Sequence, residues 1–195
     1  MDNTFMQNFT PNIYYYVESY NLTDLSRLGR NISIIYRNYQ NIDYLDNLLK
    51  LKSFCKKNGN NLYLSNDIKL SIKLRLNGVY IPSFNNKLNY CGFNNFPSNF
   101  KIIGSAHNLK EIRVKYVQGC KEIFISPLFK TGKYKNFLGI IKFNLLTLSI
   151  KNKFIALGGI NEKNYRATKL ANICGFASIG WIKKNGLKNL GRFKI

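Results

Sequence analysis

Gly158-Gly159 and Gly180 are the residue types that let a backbone close around an anion. With no side chain in the way, N–H groups can approach a phosphate, and a helix that follows turns its positive end toward it. Tight turns also need glycine, so the pair alone reads as well for a turn as for an anion site. Gly180, one apolar run later, adds weight to the second reading. Other polar clusters interrupt the apolar sequence in the same way: Tyr36-Arg37-Asn38, Ser65-Asn66-Asp67, Pro82-Ser83 and Ser105-Ala106-His107. Ser126-Pro127 then runs into Phe129-Lys130-Thr131-Gly132-Lys133. An arginine at the end of an apolar run, such as Arg37, calls for an anion. His107 is the only histidine, with an ordinary pKa of about 6.5 that suits either proton transfer or a structural hydrogen bond. Asn66-Asp67 reads equally as the cap of a helix beginning at Ile68 and as a ligand pair.

The elements that must position these residues follow a two-part rhythm. Short apolar or β-branched runs occur at Ile13–Val17, Ile32–Tyr36, Asn61–Leu64, Gly78–Ile81, Lys101–Gly104, Glu122–Ser126, Lys153–Leu157 and Gly175–Ile179. Between them lie segments of helical spacing, such as Leu45, Leu48, Leu49 and Lys52, or Leu109, Ile112 and Tyr116. The runs do not alternate, which is the pattern of strands covered by helices on both sides of a parallel sheet. Eight such units predict an α/β fold, a (β/α)8 TIM barrel, with chemistry at the carboxyl ends of the strands. An open doubly wound sheet is the alternative and would usually have fewer strands. Because the fold's lower limit is about 200 residues, the barrel is trimmed. Tyr80–Asn99, rich in Asn, is expected to be an irregular fourth connection, and the segment after Trp181 a short last helix. Tyr14-Tyr15-Tyr16 belongs to the first strand, and Tyr39 and Trp181 are read as packing residues. The whole chain, 1–195, is expected to be one domain.

A net charge of +21, with 30 Lys and Arg against 9 Asp and Glu, raises a nucleic-acid partner as a possibility to test. The chain is 45% hydrophobic, which excludes a disordered basic tail. Lys travels with 28 Asn and 22 Ile, while Arg occurs 7 times and no long run of like charge appears. That is a compositional bias rather than a nucleic-acid footprint, so no nucleic-acid partner is expected. The 4 cysteines form no C-x-x-C pair, and a single histidine completes no zinc set. Reduced thiols in a cytoplasmic protein follow. Met1–Pro11 has no signal-peptide pattern. The most apolar stretch, Phe137–Ile150, is broken by Lys142 and Asn144 and reads as core rather than a membrane span.

Ser105-Ala106-His107-Asn108, Ser126-Pro127-Leu128-Phe129-Lys130-Thr131 and Ala156-Leu157-Gly158-Gly159-Ile160-Asn161 together resemble the thiamine-phosphate synthase/TenI superfamily. So does Asn66-Asp67 followed by Asn77-Gly78-Val79-Tyr80-Ile81, and the likeness runs in one order from about Ser33 to Trp181. Tyr36-Arg37-Asn38-Tyr39 and Gly175–Trp181 resemble a small, divergent bacterial branch. The resemblance implies an enzyme that joins hydroxymethylpyrimidine diphosphate to thiazole phosphate and releases pyrophosphate. By it, Arg37 holds the diphosphate, Asn66 binds substrate, and Asp67 and Asn85 bind Mg²⁺. Ser105, Thr131 and Lys133 contact phosphates, with Lys133 and His107 counted among the catalytic residues. Gly158, Gly159 and Gly180 receive the thiazole phosphate. The pattern departs from the synthases where Ile35 and Tyr39 stand beside Arg37 for Gln and Lys, and where Asn85 takes the place of an Asp. Two alternatives within the superfamily are a TenI-like thiazole tautomerase working through His107 and a non-catalytic member that binds thiamine precursors. The partners implied are small phosphorylated precursors, and oligomeric state is left open.

Overall fold

Each apolar run forms a strand in the computed structural model, which describes residues 11–40, 43–88, 96–132 and 136–185. The strands are β1 (Asn12–Val17), β2 (Ile32–Tyr36), β3 (Leu62–Ser65), β4 (Gly78–Ile81), β5 (Lys101–Ala106), β6 (Glu122–Ile125), β7 (Lys153–Leu157) and β8 (Gly175–Ala177). They pair in parallel in chain order, and β1 closes on β8 through Asn12–Gly175, Ile13–Phe176 and Tyr14–Ala177. The outer ring holds α1 (Leu22–Leu25), α2 (Tyr44–Asn58), α3 (Ile68–Lys73), α4 (Leu109–Val117), α5 (Gly139–Leu148) and α6 (Gly180–Asn185). The expected trimming falls on three connections. α1 is four residues long, α3 is six, and a 3₁₀ segment at Tyr165–Leu170 replaces a helix between β7 and β8. Among the described residues no helix lies between β4 and β5; residues 89–95 of the expected irregular fourth connection lie outside them. The short last helix starts at Gly180 and therefore includes Trp181, which stacks on Phe176 and Tyr165 with ring centroids 5.9 and 5.3 Å away.

The barrel interior is filled by aromatic rings. Tyr14, Tyr16, Tyr63, Tyr80 and Phe124 point inward with Ile35, Ile103, Ile155 and Ala177. They meet edge to face, with centroids 4.8 Å apart for Tyr14–Phe124, 5.5 Å for Tyr16–Tyr80 and 5.8 Å for Tyr80–Phe124. Rings of this size need small neighbours. A Cβ on Gly78 would stand 2.0 Å from the Lys101 carbonyl oxygen, and one on Gly175 2.0 Å from that of Asn12. At the floor, the buried Glu122 carboxylate accepts the Tyr14 hydroxyl and the Asn12 amide, the latter at 3.2 Å.

Helix faces differ in detail from the periodicity. In α2 the buried stripe is Leu48, Leu51 and Cys55, and Leu45 and Leu49 stand about half exposed. In α4 Ile112 and Lys115 are buried, whereas Tyr116 faces solvent. Of the apolar run around α5, Phe143 and Thr147 are buried but Ile141, Leu145 and Leu148 are exposed, so only one side of that stretch is core. Spacing identifies a helix but not which of several apolar stripes meets the barrel. Among the described residues no helix is long and apolar enough to cross a membrane. Cys55, Cys120 and Cys174 are free thiols, pushed up by burial to about 12, 12 and 11; Cys91 lies outside the described residues.

Candidate active site

β2 delivers Arg37 to the barrel mouth, where its N–H bonds the Val17 carbonyl at 2.8 Å. The guanidinium carbon sits 5.1 Å from the centre of the Tyr16 ring, and one terminal nitrogen is 4.0 Å from Glu18 Oε1. The side chain is one-third exposed, so that long ion pair is weak and leaves the planar donor fork available to an incoming anion. Below it, the buried Tyr16 hydroxyl makes no hydrogen bond of normal geometry among the described residues and lies beside the Tyr80 hydroxyl. Burial holds its pKa well above the ordinary value, the neighbouring Tyr80 adds to the rise, and Arg37 opposes it. A neutral hydroxyl so placed in the top layer of a barrel can donate to a ligand atom. Tyr16 is not marked in the sequence, because its neighbours identify it only as a strand residue.

Tyr80 donates to Ser105 Oγ at 2.8 Å, which fixes the expected phosphate contact Ser105 on the floor of the mouth. Tyr39 is half exposed rather than packed. It shares a 2.9 Å hydrogen bond with Ser65 and meets Phe84 edge to face.

Asn66 and Asp67 follow β3 and take different roles. Asn66 sits at φ +63°, an uncommon conformation for a residue other than glycine, with its N–H on the Tyr80 carbonyl at 2.8 Å. Its Oδ1 accepts Asn85 Nδ2 at 2.6 Å, while Asn85 Oδ1 accepts the Lys87 N–H at 3.0 Å. Asp67 caps α3, its Oδ1 accepting the Leu70 N–H at 2.9 Å. Its second carboxylate oxygen has no hydrogen-bond partner among the described residues. The two amide carbonyls are thus engaged, and no group of three or more His, Cys, Asp or Glu suited to a metal occurs among the described residues. Of these residues, Asp67 is the one that would offer a Mg²⁺ ion a carboxylate oxygen, and water and substrate oxygens would have to supply the rest, as is usual for that cation.

His107 stands half exposed at the start of α4, with Nδ1 3.0 Å from Glu111 Oε2. The same carboxylate oxygen accepts the His107 N–H at 2.8 Å, and Asn108 caps the helix through the Glu111 N–H at 3.0 Å. Glu111 thus takes the N–H of the residue before the cap, so it both helps start the helix and orients the imidazole.

On the other side of the mouth, Gly158 and Gly159 take φ +93° and +72°. They interlock with the loop after β6, which carries the cis Ser126–Pro127 bond: Leu128 N–H bonds the Leu157 carbonyl at 2.8 Å and Phe129 N–H that of Gly158 at 3.1 Å. That loop presents Lys130 and Thr131; Lys133 lies outside the described residues. The helix expected right after Gly158-Gly159 is instead a turn, in which Asn164 Nδ2 donates to the Gly159 carbonyl at 2.8 Å, leading into the 3₁₀ segment. Any anion here therefore meets turn N–H groups rather than a helix end. Gly180 opens α6 with free space around it, and Ser178 ties β8 to this loop through the Ile160 carbonyl at 3.0 Å.

A family model described as thiamine monophosphate synthase (TMP-TENI) matches residues 25–182. The chain belongs to this family. It is 31% identical over 151 residues to a thiamine-phosphate synthase of Prochlorococcus marinus strain AS9601, covering 76% of this chain and 38% of that protein. Against the thiamine-phosphate synthase of a second Prochlorococcus marinus strain it is 34% identical over 137 residues, covering 68% and 39%. The chain thus spans about two-fifths of the length of these relatives. Among solved structures, thiamine phosphate pyrophosphorylase from Pyrococcus furiosus superposes with a TM-score of 0.69 at 14% identity, covering 95% of this chain and 96% of that one. The Bacteroides thetaiotaomicron protein of the same name gives 0.58 at 17% identity, covering 90% and 85%. For this member of the thiamine monophosphate synthase family, the matched residues take in every strand from β2 to β8 and the candidate site residues from Arg37 to Gly180, while Tyr16 on β1 lies before them.

Proposed function

We propose that the chain catalyses the thiamine-phosphate synthase reaction, joining hydroxymethylpyrimidine diphosphate to thiazole phosphate. The reading includes a cytoplasmic location and no nucleic-acid partner. The observation that carries it is the pairing at one barrel mouth of a one-third-exposed Arg37 over the buried Tyr16 hydroxyl with the interlocked Gly158-Gly159 turn. The first suits a diphosphate and the second a monophosphate. In the reaction the methylene–oxygen bond of the pyrimidine breaks, its electron pair leaves on pyrophosphate, and the thiazole nitrogen forms the new bond to carbon. Negative charge grows on the departing oxygens, so fixed donors that strengthen there lower the barrier. Arg37 supplies a bidentate fork and Tyr16 a neutral donor, while Lys130 and Thr131 lie on the loop that closes over Gly159. Mg²⁺, held by Asp67, would add charge neutralisation on the diphosphate.

The test is formation of thiamine phosphate from the two substrates with Mg²⁺, with Arg37→Ala beside the wild type. Turnover and a loss of about 100-fold in affinity for the diphosphate substrate are expected, since a charge-assisted bidentate contact contributes roughly 3 kcal/mol. Stability should change by less than about 0.5 kcal/mol because the Glu18 pair is long and exposed. No turnover, with Arg37→Ala binding the substrate as the wild type does, would falsify the assignment. One observation favours thiazole tautomerisation as a second reading: Glu111 engages His107 Nδ1 and leaves Nε2 to take a proton. Loss of that activity in His107→Ala would support it.

A further inference from the structure

Lys115 is on the outer helix α4, yet its side chain is wholly buried. Its stem crosses β5 at Gly104, where a Cβ would come within 2.9 Å of Lys115 Cδ and 2.8 Å of Cys120 Sγ. The glycine therefore leaves a passage through which the lysine reaches the connection after β4. There the ammonium donates to the Asn85 backbone carbonyl at 2.6 Å and to Gln118 Oε1 at 2.9 Å. Gln118, also wholly buried, donates through Nε2 to the same Asn85 carbonyl at 3.0 Å and to the Lys87 carbonyl at 2.8 Å. Among the described residues no carboxylate bonds this ammonium; burial works against its charge, and the groups that favour it are the Cys120 thiol and, one turn away on α4, Glu111. Burying a cation against neutral oxygens alone is an expensive way to fill space, and an apolar side chain would do so at lower cost.

What the arrangement secures is the place of Asn85. With its carbonyl held from below, Asn85 directs Nδ2 onto Asn66 Oδ1 at the mouth, and Asn66 sits in its left-handed conformation beside the Asp67 cap. We infer that Lys115 and Gln118 are positioning residues that hold the β4 loop, through Asn85, against the substrate-facing Asn66. The inference rests on the synthase reading for its kinetic consequence but not for its structural one.

The experiment compares wild type, Lys115→Met, Lys115→Arg and Gln118→Leu, each checked for native near-ultraviolet circular dichroism. Hydrogen exchange is followed at the Asn85 and Lys87 amides, which bond the Pro82 carbonyl and Asn85 Oδ1. In Lys115→Met their protection should fall at least tenfold while that of the β6 amides is unchanged. KM for the pyrimidine diphosphate should rise about tenfold, with kcat within threefold. Lys115→Arg, which keeps a donor and a charge, should recover part of both effects. If Lys115→Met fails to fold, Gln118→Leu carries the same expectations. Unchanged exchange at Asn85 and Lys87 overturns the inference, as does faster exchange without a change in KM in an active enzyme. A wild type without turnover overturns the synthase reading instead, and the exchange data then decide the positioning role alone.

Discussion

Gly159→Ala tests whether the glycine turn is built to hold phosphate or merely to turn. Two costs meet at this position. At φ +72° an alanine pays the left-handed penalty, about 1–2 kcal/mol. Its Cβ would also stand 2.5 Å from the Phe129 carbonyl oxygen and 2.6 Å from that of Lys130. Both atoms are backbone, so relief requires the whole loop after β6 to move, a strain of about 1–3 kcal/mol by comparison with overpacked cores. Gly59 supplies the control, with φ +75° and nothing within 4 Å of an added methyl group. Gly59→Ala should therefore cost about 1–2 kcal/mol and Gly159→Ala about 2–5 kcal/mol in urea unfolding with unchanged m-values. The second measurement is stabilisation by inorganic phosphate. A ligand that binds the native state at about 100 times its Kd adds roughly 2.7 kcal/mol. Wild type and Gly59→Ala should gain equally, and Gly159→Ala should gain clearly less, since only the Arg37 side of the mouth is left to hold the anion. Equal costs at the two glycines would refute the interlocking of the loops, and full phosphate stabilisation in Gly159→Ala would refute the phosphate site.

Tyr16→Phe removes a buried hydroxyl that makes no hydrogen bond of normal geometry among the described residues, so stability should hold or rise by up to about 1 kcal/mol, while affinity for the diphosphate substrate falls about 5- to 15-fold. A loss of stability with unchanged affinity would mean the hydroxyl is structural. The buried thiols give a pH dependence. Cys55 goes from an ordinary 9 to about 12 on folding, so the native state keeps a proton that the unfolded chain releases between those values. That contribution is complete below pH 9 and is lost as pH rises toward 12. At pH 10.5 the wild type should have lost about 2 kcal/mol more, relative to pH 8, than Cys55→Ala. Urea unfolding at the two pH values checks it, and parallel losses would refute a buried neutral thiol.

The barrel was legible because its strands are apolar on both faces, a pattern that few other folds demand. Ile32–Tyr36, Gly78–Ile81 and Lys153–Leu157 coincide with the expected runs, and the remaining strands shift only at their ends. The helices were legible as helices but not in orientation. α5 carries apolar residues around most of its circumference, and spacing cannot say that Phe143 rather than Ile141 meets the barrel. At the site, Arg37 and Ser105 were marked by polar residues ending apolar runs. Tyr16 and Lys115 were hidden for opposite reasons: one looks like any strand aromatic, and the other like any surface lysine on a helix. Their significance lies in what surrounds them in three dimensions, the Arg37 guanidinium for one and a glycine passage for the other.

The neutral Asn66–Asn85 contact gives a physical reason for asparagine where the superfamily resemblance anticipates an acid. The hydrogen bond between them needs a donor at residue 85, because Asn66 presents its carbonyl oxygen. An aspartate there would set a carboxylate oxygen against that carbonyl at hydrogen-bond distance, and two acceptors facing each other at 2.6 Å repel. The Asn85 Oδ1 atom has its own task, accepting the Lys87 N–H, so one amide both closes its own turn and ties β4 to β3. Lys115 completes the logic from the outside by satisfying the Asn85 backbone carbonyl. Asp67 thus supplies a carboxylate at this edge of the mouth, and shape comes from a chain of neutral donors and acceptors anchored on a buried ammonium.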